Sequence, residues 1–195
     1  CYERIWFLCI YNILYEFRED YDTNRQFKYV NKDGKEKYVR VIDFIDDNIF
    51  ETINDLIDGQ YYDLNLIQLN LDLDVIYKIN SKKTPPLFVL SFLLGYMGVL
   101  FFDEKFIIEE NIIDKLKELG DLFGFIFQLN DDIIDREDDA KEGKNLNISI
   151  HLGKEKSLDI FNIKCDDFEK KLNELNLWNH NFKEIIQLLK KRINI

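Results

Sequence analysis

The sequence predicts an all-α protein, a helical bundle, and three observations carry that prediction. Apolar residues recur three and four apart along most of the chain. No segment shows convincing strand alternation. The two prolines, Pro85 and Pro86, stand together at the head of one apolar run, so no other predicted helix is interrupted. With 195 residues, 46% of them hydrophobic, the chain can build one substantial core and is short for two. Residues 1–195 are therefore read as a single domain.

Each element has its own signature. Residues 4–17 (RIWFLCIYNILYEF) form an apolar helix. The polar stretch from Arg18 onward, about residues 18–38, reads as a loop with Lys32, Asp33, Gly34 and Lys35 at its tip. From Val41, the positions Ile42, Ile45, Ile49, Ile53, Leu56 and Ile57 describe a helix with one buried face, which Gly59 is expected to end or bend. A short helix follows around 72–80. A long apolar helix opens at Pro85-Pro86, where proline is tolerated in a first turn and Thr84 is placed to cap. Helices near 108–137, 153–174 and 181–194 complete the chain. Only Ala140 represents alanine, so propensity alone under-predicts these helices.

Pro85 to Phe102 are eighteen consecutive uncharged residues, the threshold for a membrane span. Two prolines, two glycines, a serine and the lack of a second span favour a central helix buried on all sides, with no transmembrane segment. The first apolar run carries Glu3 and Arg4 and lacks a small-residue cleavage site, unlike a signal peptide. The sequence opens on Cys1 instead of Met, which leaves a fragment or a processed form open.

A net charge of −11 and a pI near 4.7 exclude nucleic-acid backbone binding, which needs a basic face. Such a chain attracts cations first and anions through them. Cys1, Cys9 and Cys165 are scattered, which argues against a disulfide framework or a zinc site and for a reducing compartment, cytoplasmic or organellar. Histidine chemistry has only His151 and His180 to draw on.

The stretch FQLNDDIIDREDDAKEGK, Phe127 to Lys144, packs seven carboxylates between Asp131 and Glu142. On a helix Gly120, Gly124, Gln128, Asp131 and Asp135 line one face, with Asp132 at its edge. Leu122, Ile126, Leu129 and Ile133 take the other face, and the two glycines are expected to leave space above the carboxylates. Like charges one turn apart destabilise a bare helix, and a divalent cation reverses that sign. Mg²⁺ is commonly held by one or two carboxylates together with substrate phosphates. Taken alone, DDxxD reads more readily as a solvated acidic helix end. Its apolar company before and its Gly-Lys pairs after turn the reading toward a site. Asp43, Asp46 and Asp47, and Asp166-Asp167, have no such company and are read as surface.

The full pattern resembles the trans-isoprenyl diphosphate synthases, the polyprenyl synthetase family of farnesyl and geranylgeranyl type. The matching elements run in order: Gly59-Gln60 with Asp63, Lys83-Thr84, FQxxDDxxD from Phe127 to Asp135, Gly143-Lys144 and Gly153-Lys154. The resemblance covers residues 40–195 well and 1–39 weakly. It implies a helical bundle around a central cavity and an allylic diphosphate bound through Mg²⁺. By position, Asp131 and Asp135 would hold Mg²⁺ with Asp132 alongside. Lys83, Lys144 and Lys154 would contact the diphosphate, with Gln60 and Asp63 in the substrate site. Thr84 and Gln128 would stabilise the developing allylic cation. Isopentenyl diphosphate would be the second substrate, and a homodimer or a heterodimer with a homologous subunit the assembly.

Some features depart from the family pattern. Its first Asp-rich motif and paired arginines are absent from this sequence, Pro85-Pro86 stand where glycine is usual, and Asn145 to Ser149 lack the usual Gly and Asp. Three functions follow: a prenyltransferase, a non-catalytic partner subunit of an active synthase, or an acidic helical interaction module. A scaffold has no physical need for the diphosphate-contacting lysines, which disfavours the last.

Overall fold

Eight α-helices and three short strands make up residues 25–65, 71–98 and 107–194, the residues described in this computed structural model. The helix predicted at 4–17, with Cys1 and Cys9, lies outside them.

The strands correct the expectation of no β structure. β1 (Gln26–Val30) and β2 (Glu36–Arg40) pair antiparallel, Gln26 opposite Arg40 and Val30 opposite Glu36. Lys32 to Lys35 do form the tip, where Asn31 Oδ1 accepts from Lys35 N at 2.7 Å and from Asp33 N at 3.1 Å. β3 (Ile107–Glu109) adds in parallel on the other side of β1, where a helix start was expected. The alternation is legible only in hindsight, because each strand is at most five residues long, with Phe27 and Ile108 as the buried side chains of the sheet. The sheet serves the helices, since β2 runs directly into α1 (Val41–Asn65) and β3 directly into α4 (Glu110–Ile134). It thereby ties the first turns of the two longest helices together.

Between these lie α2 (Leu73–Lys83) and α3 (Pro85–Met97); after them come α5 (Arg136–Glu142), α6 (Ile148–Leu152), α7 (Lys154–Glu174) and α8 (His180–Arg192). α4 is the centre, packed against α3, α6, α7 and α8. Its apolar face, including Leu119, Ile126 and Leu129 at 0% exposure, forms the core with Phe161 and Phe168 of α7 and Leu93 and Met97 of α3. Phe88 of α3 packs against Phe123 and Phe127 with ring centroids 4.8 and 5.4 Å apart. No helix among the described residues is long and apolar enough to cross a membrane.

Two sequence expectations about glycine are overturned. Gly59 does not end α1, which continues to Asn65. Instead a Cβ there would lie 2.6 Å from the Lys82 carbonyl carbon and oxygen, so glycine is what lets α1 touch the end of α2. Nor do Gly120 and Gly124 leave space above the carboxylates. α3 fills it, with the Val89 and Pro85 Cα atoms each 2.4 Å from the position a Cβ would take. The predicted helix over 108–137 also divides, because Asp135 (φ −85°, ψ 0°) forms the joint between α4 and α5.

Candidate functional site

The site begins at the joint between α2 and α3. Thr84 precedes Pro85, and its backbone (φ −120°, ψ −45°) departs from helix there. Its hydroxyl caps nothing, contrary to the sequence expectation. It donates instead to Gln128 Oε1 on α4 at 2.7 Å. Gln128 Nε2 donates in turn to Asp132 Oδ1 at 2.8 Å. The other Asp132 oxygen accepts from Ile148 N at 2.7 Å, and the whole residue is 5% exposed. Asn147 Nδ2 reaches both the Asp132 carbonyl and Asp139 Oδ2 at 2.9 Å. Lys144 Nζ, at 2.8 Å from Asp139 Oδ1, closes the chain of contacts. One continuous polar relay therefore runs from Thr84 to Lys144, and it fixes the α5–α6 loop against the end of α4.

Lys83 Nζ lies 3.0 Å from Asp63 on α1, four residues beyond the glycine contact that brings the two helices together. Asp131 and Asp135 keep the one-turn relation, with Asp135 N donating to the Asp131 carbonyl at 2.9 Å. Burial pushes the Asp131 carboxyl up from its ordinary range; Arg192 opposes that shift, and Asp135 adds to it. Asp132 is pushed up further, to about 6, by burial that outweighs its two hydrogen-bond donors.

The fold gathers Lys83, Thr84, Asp63, Gln128, Asp131 and Asp132, and links Asp132 to Lys144 through Asn147 and Asp139. Lys144 is also 2.9 Å from Glu142. Gln60 is half-buried beside Gly59 on α1, and Lys154 is exposed at the start of α7. No hydrogen bond or ion pair joins Lys144 or Lys154 to Asp131 or Asp135 in this state. The Gly of each Gly-Lys pair has a backbone reason, φ +71° at Gly143 and +81° at Gly153, both in the left-handed half that favours glycine. A cleft of about 400 Å³ opens beside Lys82, lined by Asp55, Asp121 and Phe125 among others. None of the predicted site residues lines it, so the side-chain chemistry, and not this cleft, locates the site.

Sequence reasoning missed Arg192 and Asn147. Arg192 Nη2 lies 2.9 Å from Asp131 Oδ1, but in the sequence it is one of three basic residues ending a helix, an ordinary complement to the helix dipole. Asn147 was findable: its side chain caps α6 by accepting from Ile150 N at 3.1 Å, and an Asn ahead of an apolar run is a helix-start signal.

Among the described residues no three carboxylate, His or Cys side chains stand close enough to hold a metal by themselves. Mg²⁺ does not require three when phosphate oxygens complete its shell. Asp131 and Asp135 offer hard oxygens one turn apart, and Asp131 Oδ1 is shut off from solvent, with Arg192 Nη2 2.9 Å away as its ion-pair partner. That set fits Mg²⁺ held jointly with a diphosphate.

The sequence matches the Polyprenyl synthetase family over residues 17–191. The chain belongs to that family. Its structure is similar to a geranyltranstransferase from Thermotoga maritima (20% identity, TM-score 0.59, covering 76% of this chain and 53% of that one). It is likewise similar to a geranyltransferase from Helicobacter pylori (22% identity, TM-score 0.55, covering 76% and 51%). An isoprenoid synthase family member from Thermotoga neapolitana gives 20% identity, TM-score 0.55, and coverage of 76% and 52%. At these identities the likeness shows the fold, an all-α isoprenoid-synthase bundle. This polyprenyl synthetase chain spans about half the length of those structures. No curated protein matches it.

Proposed function

We propose that this chain carries the allylic-diphosphate half of a prenyltransferase site. In the whole protein, that site would condense an allylic diphosphate with isopentenyl diphosphate. The observation that supports this reading is the relay from Thr84 through Gln128 to Asp132, which brings Lys83 and the Asp131–Asp135 face to one place. Asp131 and Asp135 would hold Mg²⁺, which, when bound, helps neutralise the diphosphate as it departs. Lys83 adds a fixed positive charge, and Lys144 and Lys154 add theirs once the diphosphate draws them in. Thr84 and Gln128 present oxygen dipoles toward the allylic carbon, where positive charge grows as the C–O bond breaks and its electron pair leaves on diphosphate. The isopentenyl double bond then forms the new C–C bond, and a proton is lost. Apolar walls exclude the water that would otherwise capture the cation.

Calorimetric titration with a non-hydrolysable allylic diphosphate, with and without Mg²⁺, tests the reading. Wild-type binding is expected to require Mg²⁺, and Asp131→Asn/Asp135→Asn to weaken it at least about tenfold. A folded wild-type chain that binds nothing in either condition sinks this reading and leaves the non-catalytic partner subunit in its place.

A further inference from the structure

The guanidinium of Arg192 stands where the proposed cation would have to stand. Its Nη2 is 2.9 Å from Asp131 Oδ1, the oxygen closed to solvent. The backbone that carries it is fixed. Leu189 and Ile193 on either side are buried, and the Leu189 carbonyl accepts from the side chain of fully buried Asn130 at 2.8 Å. Asn130 is the residue before Asp131, so the last turn of α8 is registered to the Asp-rich turn of α4. The arginine side chain itself is 46% exposed and has water to move into.

We infer that Arg192 is a positioning residue that guards this metal site. It neutralises Asp131 when no metal is present, and it must release that carboxylate before a divalent cation can take it. A cation alone is then held weakly, because each binding event breaks an ion pair. The released guanidinium is a planar fork suited to phosphate oxygens. A diphosphate arriving with the metal gives it a new partner, so metal and diphosphate each strengthen the other's binding by the same factor. This rests on the metal reading above for the identity of the site.

Mn²⁺, whose free form is counted by electron paramagnetic resonance, is the probe. It would be titrated alone into wild type, Arg192→Gln, Lys191→Gln and Asp131→Asn, and then with inorganic pyrophosphate, corrected for Mn²⁺–pyrophosphate association in buffer. Arg192→Gln is expected to bind Mn²⁺ alone about three- to fivefold tighter than wild type, the scale of one half-exposed ion pair. It should also lose most of the strengthening by pyrophosphate. Lys191→Gln removes the same charge one residue away, on an exposed side chain, and is expected to change little. Arg192→Gln binding Mn²⁺ no tighter than wild type, while Asp131→Asn binds it more weakly, overturns the guard and leaves the metal site standing. Asp131→Asn binding as wild type does overturns the metal site itself. If wild type binds no Mn²⁺, binding by Arg192→Gln supports the guard in its strongest form, and no binding by either overturns both.

Discussion

Asp132→Ala is expected to lower stability by about 3–5 kcal/mol below pH 5, a loss that relief of the buried charge partly offsets at neutral pH, while Asp132→Asn is neutral or stabilising at pH 7.5. Alanine strips the acceptor from the buried Ile148 N–H and from the half-buried Gln128 Nε2. Each stranded donor costs about 1–3 kcal/mol. Asparagine keeps the Ile148 contact through Oδ1 but turns an NH₂ toward Gln128. A half-turn of the Gln128 amide resolves that, presenting Oε1 to the new NH₂ and Nε2 to the Thr84 hydroxyl, which can accept as readily as donate. The relay survives with its polarity reversed and without a buried charge.

The charge is the costly part. Burial holds the Asp132 carboxyl at about 6, above its ordinary 3.8. The folded chain therefore binds this proton more tightly than the unfolded one, and the stability it contributes is full below about 4. It is lost as pH rises to about 6; above that, the ionised side chain costs about 3 kcal/mol. Urea unfolding of wild type and Asp132→Asn should show their difference growing in favour of Asn between pH 4.5 and 7.5. Equal damage by Asn and Ala would mean that the relay cannot reverse. The expense of an ionised Asp132 also bears on function, since a carboxylate kept there at neutral pH adds negative potential beside Asp131, where a neutral amide would hold the loop equally well.

The helices were legible because burial writes itself into spacing. The Ile45–Ile49–Thr52 face of α1 and the Leu119–Ile126–Leu129 face of α4 follow the apolar period, and they are buried. The hairpin was not legible, because a strand of five residues with polar residues among them gives too short a period to separate from a loop. Glycines misled for another reason: sequence shows that a Cβ is absent, not whether a neighbouring backbone fills the gap. At Gly120 and Gly124 it does, through α3. In the candidate site, the ordered motif pointed to Thr84, Gln128 and Asp131, yet it could not divide labour among adjacent aspartates. Asp132 points inward to Ile148, while Asp131 meets Arg192, a partner sixty-one positions away whose approach only the packing of α8 decides. Gly-Lys spacing singles out Lys144 and Lys154, but spacing is silent on whether Lys144 rests on Asp139 or reaches a ligand.

Gly59→Ala should be destabilising by about 2 kcal/mol and weaken Mg²⁺-dependent diphosphate binding at least about tenfold, although alanine is the better helix former. Two effects oppose each other inside α1. Replacing a mid-helix glycine by alanine favours the helix by about 1 kcal/mol. Against this, the new Cβ falls 2.6 Å from the Lys82 carbonyl and 2.8 Å from Lys83 N, and backbone atoms cannot rotate aside as a flexible side chain would. Relief requires the end of α2 to retreat by most of an ångström, at about 3 kcal/mol or somewhat more for such overpacking. The clash wins. That retreat carries Lys83 away from Asp63, now at 3.0 Å, and Thr84 away from Gln128, now at 2.7 Å, so a stability defect becomes a site defect. Asn54→Ala, on the exposed side of the same helix, supplies the propensity change without the contact. Denaturant midpoints for both variants, together with calorimetric titration of the allylic diphosphate analogue, separate the two effects. A Gly59→Ala chain as stable as wild type with unchanged binding would mean that α1 and α2 are free to part, and that Lys83 is placed by something other than the contact at Gly59.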